Sequence, residues 1–109
     1  MRYAEVTNIL ANIGLPLAYR EFKDQTQKVL PYIVYFYDGS DDMYADNINY
    51  QEIPGLRIEL YTKDKDYATE RMVEAALKAA EIAYSKDEVF IEDQKMYEII
   101  YESEVVING

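Results

Sequence analysis

The stretch Asp38-Gly39-Ser40-Asp41-Asp42-Met43-Tyr44-Ala45-Asp46-Asn47 concentrates side-chain oxygens of the kind that hold a hard cation such as calcium. A calcium loop sets its oxygens at fixed alternate positions, with a glycine at the sharp bend in sixth place and a closing Glu. Here the glycine is second and no Glu closes the loop, so a solvated turn fits better and no metal is expected. Acid–base chemistry would need a carboxyl in apolar surroundings that raise its pKa. Glu98, Glu102 and Glu104 alternate on one face of a strand, the pattern that solvent exposure produces. The run Tyr32-Ile33-Val34-Tyr35-Phe36-Tyr37 could stack nucleobases, but no Lys or Arg interleaves to hold phosphates. Gly14 and Gly55 stand alone and form no phosphate-binding pattern.

The chain has 109 residues with no Cys and no His. Disulfides, thiolate nucleophiles and Cys-ligated clusters are thereby excluded, as are Ser–His–Asp and Cys–His constellations within the chain. Asp and Glu number 21 against 11 Lys and Arg, a net charge of -10 that disfavours phosphate backbones and anionic membrane surfaces alike. Half the residues are hydrophobic, which is globular composition. Tyrosine is enriched, 12 against 3 Phe and no Trp, which suits half-buried sheet faces and protein–protein contacts. No basic leader or apolar run of spanning length is visible, so no membrane partner is expected and the chain reads as cytosolic.

These residues need elements to position them. Val6, Ile9, Leu10 and Ile13 fall at helical spacing and predict a helix over about Tyr3–Asn12, ended by Gly14 and Pro16. Leu17 to Phe22 is ambiguous, and Lys23 to Lys28 reads as a loop. Tyr32–Tyr37 predicts a central strand, apolar on both faces, followed by a turn over Asp38–Asp42. A second strand region covers about Asn47–Thr62, broken at Pro54-Gly55 by either a hairpin turn or an edge kink. Capped by Asp64 or Asp66, a helix is predicted from Tyr67 to Tyr84 with Met72, Val73, Ala76, Leu77, Ala80, Ala83 and Tyr84 as its apolar stripe. Glu74 would pair with Lys78 on the solvent face. Two more strands follow, Glu88–Glu92 and Met96–Ile107. The order α-β-β(β)-α-β-β predicts an α+β domain, one unit over residues 1–109, with a mostly antiparallel sheet of about four strands and two helices. Two helices can cover one face of such a sheet; association of identical subunits is expected to cover the rest.

Several segments together carry a resemblance: Pro31-Tyr32-Ile33-Val34-Tyr35-Phe36, the acidic loop, Ala45-Asp46-Asn47 with Tyr50, and Arg57-Ile58-Glu59-Leu60-Tyr61-Thr62-Lys63 before an Ala/Glu-rich helix. At the C-terminus, Lys95-Met96-Tyr97-Glu98 is followed by Tyr101-Glu102 and Glu104-Val105. In order and spacing, from about Leu15 to Gly109, the chain resembles small tail-completion (tail-terminator-like) proteins of long-tailed bacteriophages and prophages. Head–tail joining proteins are of similar size and easily confused with them.

The resemblance implies a non-catalytic α+β subunit without cofactor. Its partners would be copies of itself, in a ring that is typically a hexamer, together with tail-tube and head-connector proteins. The ring would sit at the head-proximal end of the tail tube, in the virion's tail or neck, after assembly in the host cytoplasm. The candidate interface residues are Tyr35, Tyr37, Asp41, Asp42, Tyr44 and Tyr61. A head–tail connector or minor capsid protein, and a small ligand-binding or regulatory α+β domain, are the alternative readings.

Overall fold

The structure is a computed structural model describing residues 1–40, 42–45 and 48–108, with the backbone alone at 43–45 and 48–50. Its elements are α1 (Tyr3–Ala11), β1 (Leu17–Tyr19), a 3-10 turn (Gln25–Gln27), β2 (Tyr32–Ser40), β3 (Met43–Ala45), β4 (Ile48–Gln51), β5 (Pro54–Thr62), α2 (Tyr67–Ala79), β6 (Tyr84–Ile91) and β7 (Met96–Glu104). The α+β class holds. The sheet has five strands in the order β1-β2-β5-β7-β6, and β3 and β4 form a separate two-stranded ribbon. All pairs in the large sheet are antiparallel except β1 with β2.

The added strand is the ambiguous Leu17–Tyr19. It is too short to show a period, and it is a strand because β2 offers it a partner. Ile33 N–H donates to the Pro16 carbonyl at 2.9 Å, and Arg20 N–H to the Tyr35 carbonyl at 2.8 Å. Two other expectations change. The stretch after Tyr37 is not yet a turn, because β2 continues to Ser40 through a bulge that Gly39 accommodates at φ +68°. Pro54-Gly55 is neither hairpin turn nor edge kink: it opens β5, the central strand. Proline is tolerated there as the first strand residue, and its carbonyl accepts from Val105 N–H at 3.2 Å. Gly55 answers a close approach, since a Cβ at that position would lie 2.3 Å from the Asp38 carbonyl oxygen.

Side chains alternate across the sheet with period two. Ile33 and Tyr35 of β2, Leu56, Ile58 and Leu60 of β5, and Ile99 and Tyr101 of β7 face the helices. There they meet Val6 and Leu10 of α1 and Val73 and Leu77 of α2 in one cluster. The helix α2 starts where Asp66 Oδ1 accepts from Thr69 N–H at 3.1 Å. It stops at Ala79, short of the expected Tyr84. Glu81 takes a left-handed conformation at φ +58°, Ile82 N–H reaches back to the Leu77 carbonyl, and Ile82 is buried as it turns towards the core. No glycine or proline announces this end. Ala83 and Tyr84 therefore leave the helix stripe, and Met72 is exposed rather than packed.

The opposite face of the sheet is not bare. The segment after β1 folds over it, and Phe22 packs on Tyr32 and Val34 in a second, smaller cluster. The Phe22 and Tyr32 rings meet edge to face at 5.4 Å, and Tyr32 stacks on Tyr61 at 4.9 Å.

Leu77 is fully buried at the centre of the larger cluster. Leu77→Ala is expected to cost about 2–5 kcal/mol in urea melts. Gly55→Ala should cost about 1–3 kcal/mol through the forced separation of β5 from β2. Lys78→Ala, on the exposed face of α2, should stay within about 0.5 kcal/mol.

Candidate functional site

The tyrosines proposed for an interface divide between the two faces of the sheet. Tyr35 and Tyr37 lie on the helix side at the β1 end. Tyr35 is buried and its hydroxyl lies 2.7 Å from Thr7 Oγ1 of α1. Tyr37 is half-buried against Tyr3 and Tyr19, with ring centroids at 4.9 and 6.1 Å. Burial first, then the neighbouring tyrosines, push its hydroxyl up to a pKa of about 12. That hydroxyl has no hydrogen-bond partner among the described residues. Asp42 is partly buried and holds the chain between strands, accepting from Ile53 N–H at 3.1 Å and from the Ser40 hydroxyl. Asp41 and the side chain of Tyr44 lie outside the described residues. Among the described residues no group of three or more acids could hold a metal ion.

Tyr61 is on the other face, in a polar cluster that spans β5 and β7. Its hydroxyl lies 3.0 Å from Glu59 Oε1 and 2.9 Å from Glu98 Oε2. Arg57 Nε donates to Glu59 Oε2 at 2.7 Å, and its guanidinium lies 3.5 Å from Glu102. One hydroxyl proton cannot serve two carboxylates at once. Burial, with Glu59 beside it, accordingly raises the Glu98 pKa, while the Tyr61 bond pulls the other way. Glu98 is thus half-buried rather than solvated, a correction to the alternating-acid expectation. Both Glu59 oxygens are already engaged by Arg57 and Tyr61. Beside this cluster a cavity of about 280 Å³ is lined by Arg20, Phe22, Lys28, Tyr32, Tyr61 and Met96 among others.

A second cluster lies on the helix side of the sheet, between α2 and β6. Glu70, on α2, has no exposed side-chain surface. Lys65 Nζ donates to its Oε2 at 2.6 Å, and Lys86 Nζ of β6 lies 2.8 Å from Oε1, an ion pair without an aligned hydrogen bond. Lys86 also meets Glu74 at 2.7 Å, Tyr101 donates to Glu74 at 2.8 Å, and Lys65 meets Glu88 of β6 at 2.5 Å. Glu74 therefore faces the sheet, with Arg71 at 3.1 Å on its outer side, in place of the expected solvent pairing with Lys78. A signal existed: Glu70 precedes Val73 by three residues and Leu77 by seven, so the buried stripe extends back onto it.

Comparison with known proteins adds one finding. No family model matches the chain, and no curated protein does. Among solved structures, a chain of the virion of a native gene transfer agent particle has a similar fold. The TM-score is 0.63 over 93% of this chain and 84% of that one, at 14% sequence identity. The likeness is one of fold.

The two clusters titrate with opposite sign. For Glu70 and Glu74 burial works against ionisation, but Lys65 and then Lys86 at Glu70, and Lys86 and then Tyr101 at Glu74, outweigh it and hold both carboxyls below the ordinary 4.5. Their contribution is present above about pH 4.5 and lost as pH falls through the lowered values. For Lys65 and Lys86 burial likewise opposes the charge, and Glu70 leads the contacts that raise them above 10.5. That contribution is present below pH 10.5 and lost as pH rises through the raised values. Glu70→Gln is expected to lower stability at pH 7 by about 2–4 kcal/mol and to flatten the acid limb of the stability–pH curve. Glu98, with a raised pKa, burdens the fold once it ionises. Glu98→Gln should raise the melting temperature at pH 7 and leave it unchanged where Glu98 is already protonated.

Proposed function

We propose that the chain is a non-catalytic structural subunit of a phage-like virion, acting as a tail-completion protein. Copies of it would form a ring at the head-proximal end of the tail tube, stop tube growth and offer a surface to the head connector. The observation that carries the virion role is the fold shared with a chain of the gene transfer agent virion along nearly all of this chain. The finer position, tail completion, rests on the order of segments from Pro31 to Val105 described above. Charge agrees with a subunit beside a DNA channel. At a net charge of -10, carboxylates that line such a passage repel phosphates and let DNA slide instead of gripping it.

Three of the buried or half-buried carboxylates support a structural role. Glu59, Glu70 and Glu74 each have both oxygens, or their one inward oxygen, occupied by Arg, Lys or Tyr of the same chain. A catalytic carboxyl must present a free oxygen to a substrate at hydrogen-bond distance.

Deleting the gene from a genome that produces particles tests the reading by negative-stain electron microscopy. Tail tubes longer than normal and free of heads are expected, and a plasmid copy should restore joined particles. Tails of normal length that accumulate beside filled heads would replace the terminator role with that of a head–tail connector. Particles of normal form and number would remove the virion role altogether.

A further inference from the structure

Strand β6 is the free edge of the five-stranded sheet, and it is open along nearly its whole length. Every residue from Tyr84 to Phe90 is exposed, including Tyr84 at 37%, Val89 at 44% and Phe90 at 42%. Its outer backbone groups have no partner strand among the described residues. Such an edge is a template for another strand. Three charges, Lys86, Asp87 and Glu88, stand at its centre. Edge charges ordinarily ward off pairing. Here they are complementary to one another in a single register, and aromatic or aliphatic side chains flank them.

We propose that β6 pairs antiparallel with β6 of a second copy, about a two-fold axis through Asp87, joining two five-stranded sheets edge to edge. With the axis perpendicular to the sheet, both copies keep their helices on the same side, so each residue meets one of its own parity. On the helix side Lys86 then stands opposite Glu88 of the second copy, twice, and Tyr84 opposite Phe90, twice. On the other side Ser85 meets Val89, and Asp87 meets itself. Moving the axis to Lys86 sets Lys86 against Lys86 and Tyr84 against Glu88. Moving it to Glu88 sets Glu88 against Glu88 and Lys86 against Phe90. Each of the three registers opposes one like-charged pair on its axis, but the central one alone adds two opposite-charge pairs and two aromatic pairs, so it is selected. Lys86 and Glu88 are also fixed before they meet: Glu70 and Glu74 hold the first, and Lys65 holds the second. The ion network of each copy is thereby continued across the axis.

The Asp87 pair is the single opposed like charge in this arrangement. It weakens the dimer at low ionic strength and keeps it reversible. A two-fold contact does not close a ring of more than two subunits, so the pairing is independent of the tail role.

The chain has no cysteine, which permits a register-specific test. Directly opposed strand residues have Cβ atoms about 4.5–5.5 Å apart, close to disulfide reach. Three single-cysteine variants at exposed positions are needed: Ser85→Cys, Asp87→Cys and Val89→Cys, each checked for folding by circular dichroism. Under mild oxidation Asp87→Cys should link to itself. A mixture of Ser85→Cys and Val89→Cys should link at least about ten-fold faster than either alone, because each meets the other and not its own copy. Light scattering over a concentration series on the parent, with no tail tube present to template a ring, should show the mass rising from 12.8 kDa to twice that value. Asp87→Asn, which removes the like-charge pair, should tighten the dimer by up to about five-fold. The proposal is overturned by a parent that stays monomeric at millimolar concentration, or by Ser85→Cys linking to itself as fast as the mixture does. A closed larger oligomer in which Asp87→Cys does not link would also overturn it.

Discussion

A carboxylate with no exposed surface fixes how the second helix sits on the sheet. Glu70 lies in the buried stripe of α2, and an ionised carboxyl is tolerated there only with cations at hand. Lys65, just ahead of the helix, and Lys86, on β6, supply them. Leaving Glu70 unpaired in that position would cost several kcal/mol, a large share of a small domain's stability. The pairing therefore constrains both the start of α2 and the lateral position of β6. The apolar residues Val73 and Leu77 supply the gain from burial, but a greasy contact has no direction. The ion pairs give the helix its rotation and bring the outermost strand under it.

The same arithmetic shapes the other face. Two helices cannot span both sides of a five-stranded sheet, and the chain covers the remainder with the segment from Arg20 to Lys28 and with polar side chains laid flat. Phe22 seals Tyr32 and Val34. Beyond it Arg57, Glu59, Tyr61 and Glu98 bind one another across neighbouring strands. Arg20 and Arg57 both lie over the Phe36 ring, at 4.7 and 5.9 Å from its centroid. Tyrosine suits this role because its ring buries area while its hydroxyl still finds a carboxylate. Much of the tyrosine excess is thus absorbed within the subunit, on the two faces of its own sheet. The open edge at β6 is different in kind, since there backbone groups find no strand to pair with among the described residues.

The virion reading draws its strength from architecture, the fold shared with a chain of the gene transfer agent virion. A subunit of an assembly would have to hold its shape while its neighbours bind, and on each face of this sheet a polar cluster ties neighbouring elements together. The large negative charge has a cost within the same picture. Like-charged subunits repel, so contacts between copies depend on local complementarity and on screening by salt.

The sequence by itself determined the α+β class, the first helix, the start of the second, and the strands β2, β5 and β7. Each is legible because its side chains repeat with one period over enough residues, as Leu56, Ile58 and Leu60 do, or because a cap such as Asp66 marks it. The missing Cys and His bounded the chemistry in the same direct way. Tertiary structure alone decided what depends on a partner distant in sequence. Leu17–Tyr19 became a strand through β2, and Gly55 was required by the Asp38 carbonyl. The end of α2 at Ala79 was set by Ile82 turning into the core. Spacing puts Glu70 on the buried stripe and Glu98 among alternating acids, but it says nothing about which cation or carboxyl lies across the fold. Only when α2, β6 and β7 come together do Lys86, Tyr101, Glu59 and Tyr61 arrive beside them. Their burial and their charge are properties of that meeting.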